Sequence, residues 1–343
     1  MRARRIAACA LALAALRAGA EPGPAAVRGD FLRLIGRPRV ALAPRTAPPA
    51  ADGDLVRLDF SYAAEAGQRV PGILLEPAGA APPRAAVIVL HGTGGSKEGM
   101  LPFLRRAAHA GFVAVAIDGR YHGERAGGAR GSAAYVAAIL RTYRTGREHP
   151  FFYDSVWDVM RLIDWLETRP EVDPRRIGLT GFSKGGIEAY LAAAVDPRVA
   201  AVVPCIAVES FRYSEEHDQW HSRISTVQAA FDAAAKDEGV GRPDGAFVHR
   251  FYERVAPGID GEFDGPSMAP LIAPRPLLAV NGESDPRASG AGLAEAVEAI
   301  RAAYAHDGAP GHFELFLEPH TGHKVTEEGY ARDLAWLVRW LRP

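Results

Sequence analysis

The strongest chemical signal in the sequence is the stretch Gly181-Phe182-Ser183-Lys184-Gly185-Gly186, which follows an apolar run ending at Thr180. A G-x-S-x-G sequence between a strand and a helix holds a serine on a tight, exposed turn. The helix that follows favours negative charge developing at its N-terminus. A serine that only caps a helix would also explain the residue, and the 36 glycines of the chain make chance matches easier. The flanking strand and helix patterns favour Ser183 as a nucleophile.

A nucleophilic serine requires a base and an acid that orients the base, and both are available after Ser183. The preferred acid is Asp285, in the turn Asn281-Gly282-Glu283-Ser284-Asp285-Pro286 that follows an apolar strand. Glu283 is a close alternative, Glu209 a more distant one, and Asp285 could also be a plain turn residue. The preferred base is His323, with His320 as the alternative. The two histidines lack further ligands at a convincing spacing, so we predict no metal site there.

The segment His91-Gly92-Thr93-Gly94-Gly95 ends another apolar strand and supplies backbone that can approach a substrate closely. We predict that the backbone N–H groups of Thr93 and Lys184 hold the oxyanion. The glycines do not match the spacing of a phosphate-binding loop. His91 is expected to hydrogen-bond within the loop rather than to act in catalysis. Downstream, the polar loop 118–125 is expected to form a wall of the site or a structural ion pair, with Asp118 and Arg120 buried at the strand end.

From residue 55 onwards the sequence alternates between strand-like and helix-like segments, which predicts a mostly parallel sheet covered on both faces. Between them lies an aromatic insertion at about 210–266, which we predict to be a partly helical cap, because structureless loops of that length are rare. Its aromatic side chains could line a pocket or simply pack the cap. The predicted strands are 56–62, 70–76, 85–90, 112–117, 177–180, 199–208, 276–280 and 312–317.

The first 20 residues have the composition of an export signal: Arg2, Arg4 and Arg5, a short apolar run, and Ala18-Gly19-Ala20 as a cleavage site. The run is too short to span a bilayer. Cleavage would remove four arginines and no acid, changing the net charge from −1 to −5, which does not favour binding to nucleic acid. We predict a periplasmic or secreted protein with a signal peptide at 1–20, a flexible lead-in at 21–53, and one domain at 54–343.

With these motifs the sequence resembles the α/β-hydrolase superfamily, in its dienelactone-hydrolase-like and prolyl-oligopeptidase-like branch. The resemblance extends from about residue 55 to the end. It implies an α/β-hydrolase fold with an eight-stranded sheet, helices on both faces, and no cofactor. Dienelactone hydrolases proper carry a cysteine nucleophile, where Ser183 stands here. The oligopeptidases carry a large N-terminal propeller, for which the roughly 30 residues of the lead-in leave no room.

We therefore predict a serine hydrolase that cleaves a carboxylic ester through an acyl-enzyme. Its substrate would be a small-molecule or polysaccharide ester, with no nucleic-acid partner. Two alternatives stay open: a serine peptidase or acyl-peptide hydrolase of the prolyl-oligopeptidase type, and a catalytically inactive binding protein on the same fold.

Overall fold

The computed structural model describes residues 23–79 and 83–342, so the predicted signal peptide at 1–20 lies outside the described residues. The strands are β1 (Arg45–Thr46), β2 (Ala50–Asp52), β3 (Leu55–Glu65), β4 (Gln68–Pro77), β5 (Arg84–Leu90), β6 (Val113–Ile117), β7 (Val172–Phe182), β8 (Val199–Cys205), β9 (Leu277–Gly282) and β10 (Phe313–Glu318). The α-helices are α1 (Pro24–Ile35), α2 (Leu101–His109), α3 (Ala133–Thr145), α4 (Tyr153–Leu166), α5 (Lys184–Val195), α6 (Phe211–Glu216), α7 (His221–Ile224), α8 (Gln228–Asp237), α9 (Gly245–Val255), α10 (Gly265–Met268), α11 (Gly290–His306) and α12 (Glu327–Leu341).

One sheet contains all the described strands, in the order β1-β3-β4-β6-β5-β7-β8-β9-β10, with β2 also paired to β3. The pairs from β6 through β5, β7, β8 and β9 to β10 are parallel, whereas β3, β4 and β6 pair antiparallel. The fold is thus α/β with a mostly parallel sheet, as predicted. The expected eight strands correspond to β3–β10. Two short strands, β1 and β2, extend the sheet at its β3 edge, and their exposed residues give no apolar signal.

The central strand β5 is buried on both faces of the sheet, and this explains its continuously apolar sequence. Ala86, Ile88 and Leu90 join the larger core cluster, which α1, α4, α5 and α11 cover. Val87 and Val89 point to the opposite cluster, under α2 and α12. A parallel strand buried on both faces cannot alternate between apolar and polar residues.

The segment expected to be a flexible lead-in instead contains a docked helix. Phe31 and Ile35 of α1 are fully or almost fully buried in the larger core cluster. Phe31 packs edge-on against Tyr153 and Phe263, with ring centroids 4.9 and 5.0 Å apart. The Pro- and Ala-rich composition concealed this amphipathic spacing, so the prediction of flexibility is corrected for residues 24–35.

The insertion between β8 and β9 is helical and comprises α6–α10. Its aromatic residues pack on one another and on the body: Phe231 lies 5.0 Å from Phe247 and 5.2 Å from Phe251 between ring centroids. Phe251 also stacks on Tyr143 of α3. The insertion therefore shares the core of the domain. Within the described part of the chain, no helix combines the length and apolarity needed to cross a bilayer.

Candidate active site

Ser183 lies at the junction of β7 and α5 in a backbone conformation that non-glycine residues rarely adopt, with φ 55° and ψ −117°. Its own N–H donates to the Cys205 carbonyl at 2.9 Å, which fixes the turn to β8. The glycines around it are required by close packing. A Cβ on Gly181 would lie 2.2 Å from the Gly185 carbonyl oxygen, and one on Gly185 would lie 2.3 Å from that of Leu90. The strained turn presents the Ser183 hydroxyl at the carboxyl edge of the sheet.

Residues from three separate strand ends meet at Ser183. His323 Nε2 lies 2.8 Å from Ser183 Oγ, and His323 Nδ1 lies 2.7 Å from Asp285 Oδ2. With Nδ1 protonated, the imidazole donates to Asp285 and accepts the Ser183 hydroxyl. Asp285 is buried, and its other oxygen accepts the Arg287 N–H at 2.9 Å. This is the geometry in which a histidine can remove the serine proton.

The environment of His323 keeps the imidazole neutral and therefore able to accept a proton. Burial is the largest influence and lowers the pKa of His323 below its ordinary value of 6.5, while the hydrogen bond and charge of Asp285 act in the opposite direction. The nearby guanidinium groups of Arg287 and Arg223 lower this pKa further.

The alternative acids and base lie elsewhere. Glu283 is half-exposed and accepts the backbone N–H of His320. The His320 side chain is 96% exposed and lies away from Ser183. Glu209 is buried against Arg223, and burial raises the pKa of Glu209 to about 8. Of the residues considered from the sequence, only Asp285 and His323 form the hydrogen-bonded chain to Ser183.

The predicted oxyanion donors lie on the two segments that approach each other beside Ser183. A Cβ on Gly92 would lie 3.6 Å from Ser183 Cβ, so the loop carrying Thr93 runs next to Ser183. Lys184 begins α5, and the first N–H groups of a helix have no partner within the helix. In the part of the chain that the structure describes, neither the Thr93 nor the Lys184 backbone N–H donates to a protein acceptor. Both stay available to a substrate oxygen.

The Lys184 side chain turns inward, which the sequence pattern did not predict. It is buried and pairs with Glu188 one helical turn later. Burial and the Lys184 charge lower the pKa of His91 to about 3. His91 is therefore neutral: its Nε2 accepts the Gly119 N–H at 3.0 Å, and its Nδ1 lies 2.8 Å from the Gly92 carbonyl. This is the loop-bracing position expected for His91. The i, i+4 spacing of Lys184 and Glu188 was the available signal for their pairing.

The loop after β6 contains charged residues that form buried ion pairs and hold the loop in place beside the site. Asp118 is fully buried and accepts the Lys97 ammonium at 3.0 Å. Arg120 donates to Asp158 of α4 at 2.8 Å and to Glu65 at 2.6 Å. Asp118 and Arg120 thus both lie buried at the end of β6, each in an ion pair with another element. Neither Lys97 nor Asp158 has a local signal in the sequence near Asp118 and Arg120, because both lie on other elements.

The fold, with Ser183, His323 and Asp285 hydrogen-bonded at its strand ends, is that of the α/β-hydrolases. Residues 70–255 match the family model described as the dienelactone hydrolase family, which is more than half of the chain. The chain therefore belongs to the dienelactone hydrolase family. Cys205 is no substitute for the cysteine of dienelactone hydrolases proper, since it is fully buried and burial raises the pKa of its thiol.

Two proteins of similar sequence align with different shares of this chain. The "Putative hydrolase YtaP" of Bacillus subtilis (strain 168) is 24% identical over 287 residues, covering 80% of this chain and 84% of that protein. The "4-O-methyl-glucuronoyl methylesterase 1" of Sodiomyces alcalophilus is 34% identical over 153 residues, covering 44% of this chain but only 29% of that protein.

Among solved structures, "Acetyl Xylan Esterase 1" from Thermoanaerobacterium sp. JW/SL YS485 superposes with a TM-score of 0.67. The superposition covers 94% of this chain and 96% of that chain at 17% identity. At that identity the likeness establishes the fold.

Proposed function

We propose that this protein is a serine esterase that hydrolyses a carboxylic ester through an acyl-enzyme. The observation that carries the proposal is the hydrogen-bonded chain from Ser183 Oγ through His323 to Asp285, with distances of 2.8 and 2.7 Å. Its support is the strained position of Ser183 and the membership of the chain in a hydrolase family.

The reaction follows from the position of each group. Ser183 Oγ attacks the ester carbonyl carbon while His323 Nε2 takes the hydroxyl proton, and Asp285 stabilises the resulting imidazolium. The N–H groups of Thr93 and Lys184 hold the oxyanion, each contributing about 3 kcal/mol to transition-state stabilisation. His323 then protonates the leaving alcohol. In the second half, His323 activates a water that attacks the acyl-enzyme and releases the acid.

For the substrate, we propose an ester of a carbohydrate. The names of two similar proteins, an acetyl xylan esterase and a 4-O-methyl-glucuronoyl methylesterase, point to an acetyl ester of xylan or a methyl ester of a glucuronoyl group.

A predicted export signal at residues 1–20 would place the enzyme in the periplasm or medium, which favours an extracytoplasmic substrate. Sequencing the N-terminus of the exported protein should give Glu21 as its first residue; retention of the full chain in the cytoplasm contradicts export.

The first experiment compares hydrolysis of p-nitrophenyl acetate, butyrate and octanoate by the wild type and by Ser183→Ala. We expect the variant to lose about 10⁶-fold in kcat while keeping its melting temperature. Ser225→Ala, at an exposed serine of the insertion, is the matched control and should keep full activity. Acetylated xylan and a methyl glucuronate ester then separate the two proposed ester types.

Three results would contradict the proposal. Full turnover by a folded Ser183→Ala protein would exclude Ser183 as the nucleophile. Cleavage of aminoacyl anilides in preference to every ester would favour the peptidase. Failure of a fluorophosphonate to label Ser183, with no turnover of any substrate, would indicate an inactive binding protein.

A further inference from the structure

Three side chains that can bind a metal converge within the helical insertion, on residues that the proposed reaction does not use. Glu215 comes from α6, His249 from α9, and Asp260 from the segment between α9 and α10. His249 Nδ1 lies 2.8 Å from Asp260 Oδ2 and 3.8 Å from Glu215 Oε2. One donor atom from each residue lies within 4.8 Å of the other two.

Asp260 supplies an observation that an ion pair alone does not explain. Its side chain is 1% exposed, yet Oδ1 has no hydrogen-bond partner among the residues the structure describes. A buried carboxylate is costly unless each oxygen is hydrogen-bonded or bound to a cation. The single imidazole of His249 satisfies Oδ2 and leaves Oδ1 unsatisfied.

The local charge also favours a cation. The groups with the largest electrostatic influence on Glu215 are Asp260, Glu216 and Asp264, all of them acids. One carboxylate oxygen of Glu215 lies within 4.8 Å of one of Asp260. Two carboxyl groups this close must share either a proton or a positive ion.

We propose that Glu215, His249 and Asp260 bind one divalent zinc ion. Zinc takes imidazole nitrogen and carboxylate oxygen at about 2.0–2.2 Å in tetrahedral geometry, which separates neighbouring ligand atoms by about 3.3–3.6 Å. The distances of 2.8 and 3.8 Å bracket that separation, so small side-chain rotations suffice. An imidazole ligand favours zinc over the oxygen-binding Ca²⁺ and Mg²⁺. Because His249 is half-exposed, water can reach the ion and occupy its fourth coordination position.

The proposed ion would cross-link three parts of the helical insertion. It connects α6, which follows the carboxyl end of β8, to α9 and to the segment that leads back towards β9. Because these ligands are 34 and 11 residues apart in sequence, cross-linking them removes freedom mainly from the unfolded chain. The role is structural, and it does not depend on whether Ser183 is a nucleophile.

The test is zinc binding by full-length protein that has been treated with a chelator and then dialysed. Titration with zinc chloride against a chromophoric chelator should give one ion per chain, and zinc should raise the melting temperature. We expect His249→Ala and Asp260→Asn to weaken zinc binding by about 100-fold or more and to remove the thermal shift. His306→Ala, at an exposed histidine of α11, should behave as the wild type.

Equal zinc affinity in the wild type and in both ligand variants would overturn the proposal, as would absence of stoichiometric binding to the wild type. Preference for Ca²⁺ or Mn²⁺ over zinc would overturn the assignment of the metal. His249 is half-exposed, so His249→Ala decides the matter even if Asp260→Asn fails to fold. Ser183→Ala should bind zinc with wild-type affinity, which separates this proposal from the proposed esterase.

Discussion

Asp285 and Glu283 are two residues apart on one turn, and burial distinguishes them. The Asp285 side chain is fully buried and 2.7 Å from His323 Nδ1. The Glu283 side chain is 49% exposed, and its carboxylate accepts the backbone N–H of His320. A carboxylate that must hold an imidazole in one orientation needs the fixed, desolvated position, since an exposed acid is screened by water.

Asp285→Asn should lower kcat by about 10⁴-fold, the size of effect seen when a triad acid loses its charge and the histidine takes the wrong tautomer. Glu283→Gln is the matched control and should retain wild-type kcat. Both are measured on p-nitrophenyl acetate with the melting temperature as a check of folding. A large loss in Glu283→Gln with a small one in Asp285→Asn would reverse the assignment.

The pH dependence of activity should follow His323, which must be neutral to accept the Ser183 proton. Burial lowers the pKa of His323 below its ordinary value of 6.5. Activity should therefore persist as the pH falls through 6.5 and decline only near the lowered pKa of His323. The acid limb of kcat/KM, which reports the free enzyme, should therefore have its midpoint below pH 6.5. His320→Ala should leave this limb unchanged, and a wild-type midpoint above pH 6.5 would contradict the proposed base.

At the scale of elements, the site depends on how closely α5 and β7 approach the strand ends beside them. Gly185 lies in the first turn of α5, where its Cα faces the carbonyl oxygens of Leu90 and His91. A side chain there would push α5 away from β5 and displace both Ser183 and the loop that carries Thr93.

Gly185→Ala should destabilise the fold by about 1–3 kcal/mol, the usual cost of overpacking, because the new Cβ would lie 2.3 Å from the Leu90 oxygen. Gly290→Ala, in the first turn of α11 with no atom within 4 Å of the added Cβ, is the control and should be near neutral. Urea unfolding measures both. Equal stability of the two variants would refute the close approach.

Over the whole molecule, a buried acid joins the C-terminal helix to the sheet. Asp333 of α12 is fully buried and lies 2.6 Å from Thr180 Oγ1 of β7. Burial raises the pKa of Asp333 to about 8. The folded protein therefore keeps a proton that the unfolded chain releases above the ordinary pKa of 3.8, and this contribution to stability declines as the pH rises between the two values.

Asp333→Asn cannot ionise, so its stability relative to the wild type should increase from about pH 5 to about pH 8. Asp307→Asn, at an exposed residue after α11, should show no such trend. The measurement is the free energy of unfolding in urea at several pH values. A difference between Asp333→Asn and wild type that is independent of pH would mean that Asp333 is already ionised in the folded state.

Local sequence suffices to predict strands β3–β10 and the turn that holds Ser183. The apolar runs at 85–90 and 177–180 predicted strands buried on both faces, and Gly181, Gly185 and Gly186 predicted a tight turn next to one of them. These features depend on residues adjacent in the chain, so hydrophobic periodicity and backbone sterics suffice to predict them.

Tertiary contacts show that Asp285 rather than Glu283, and His323 rather than His320, is hydrogen-bonded in the chain to Ser183. Each pair shares one turn and differs in which side chain other elements bury. It also docked α1 through Phe31, and it brought together Glu215, His249 and Asp260, whose separation in sequence leaves no local pattern. Contacts between elements fix burial and hydrogen bonding, and the periodicity of a single segment carries no information about its distant neighbours.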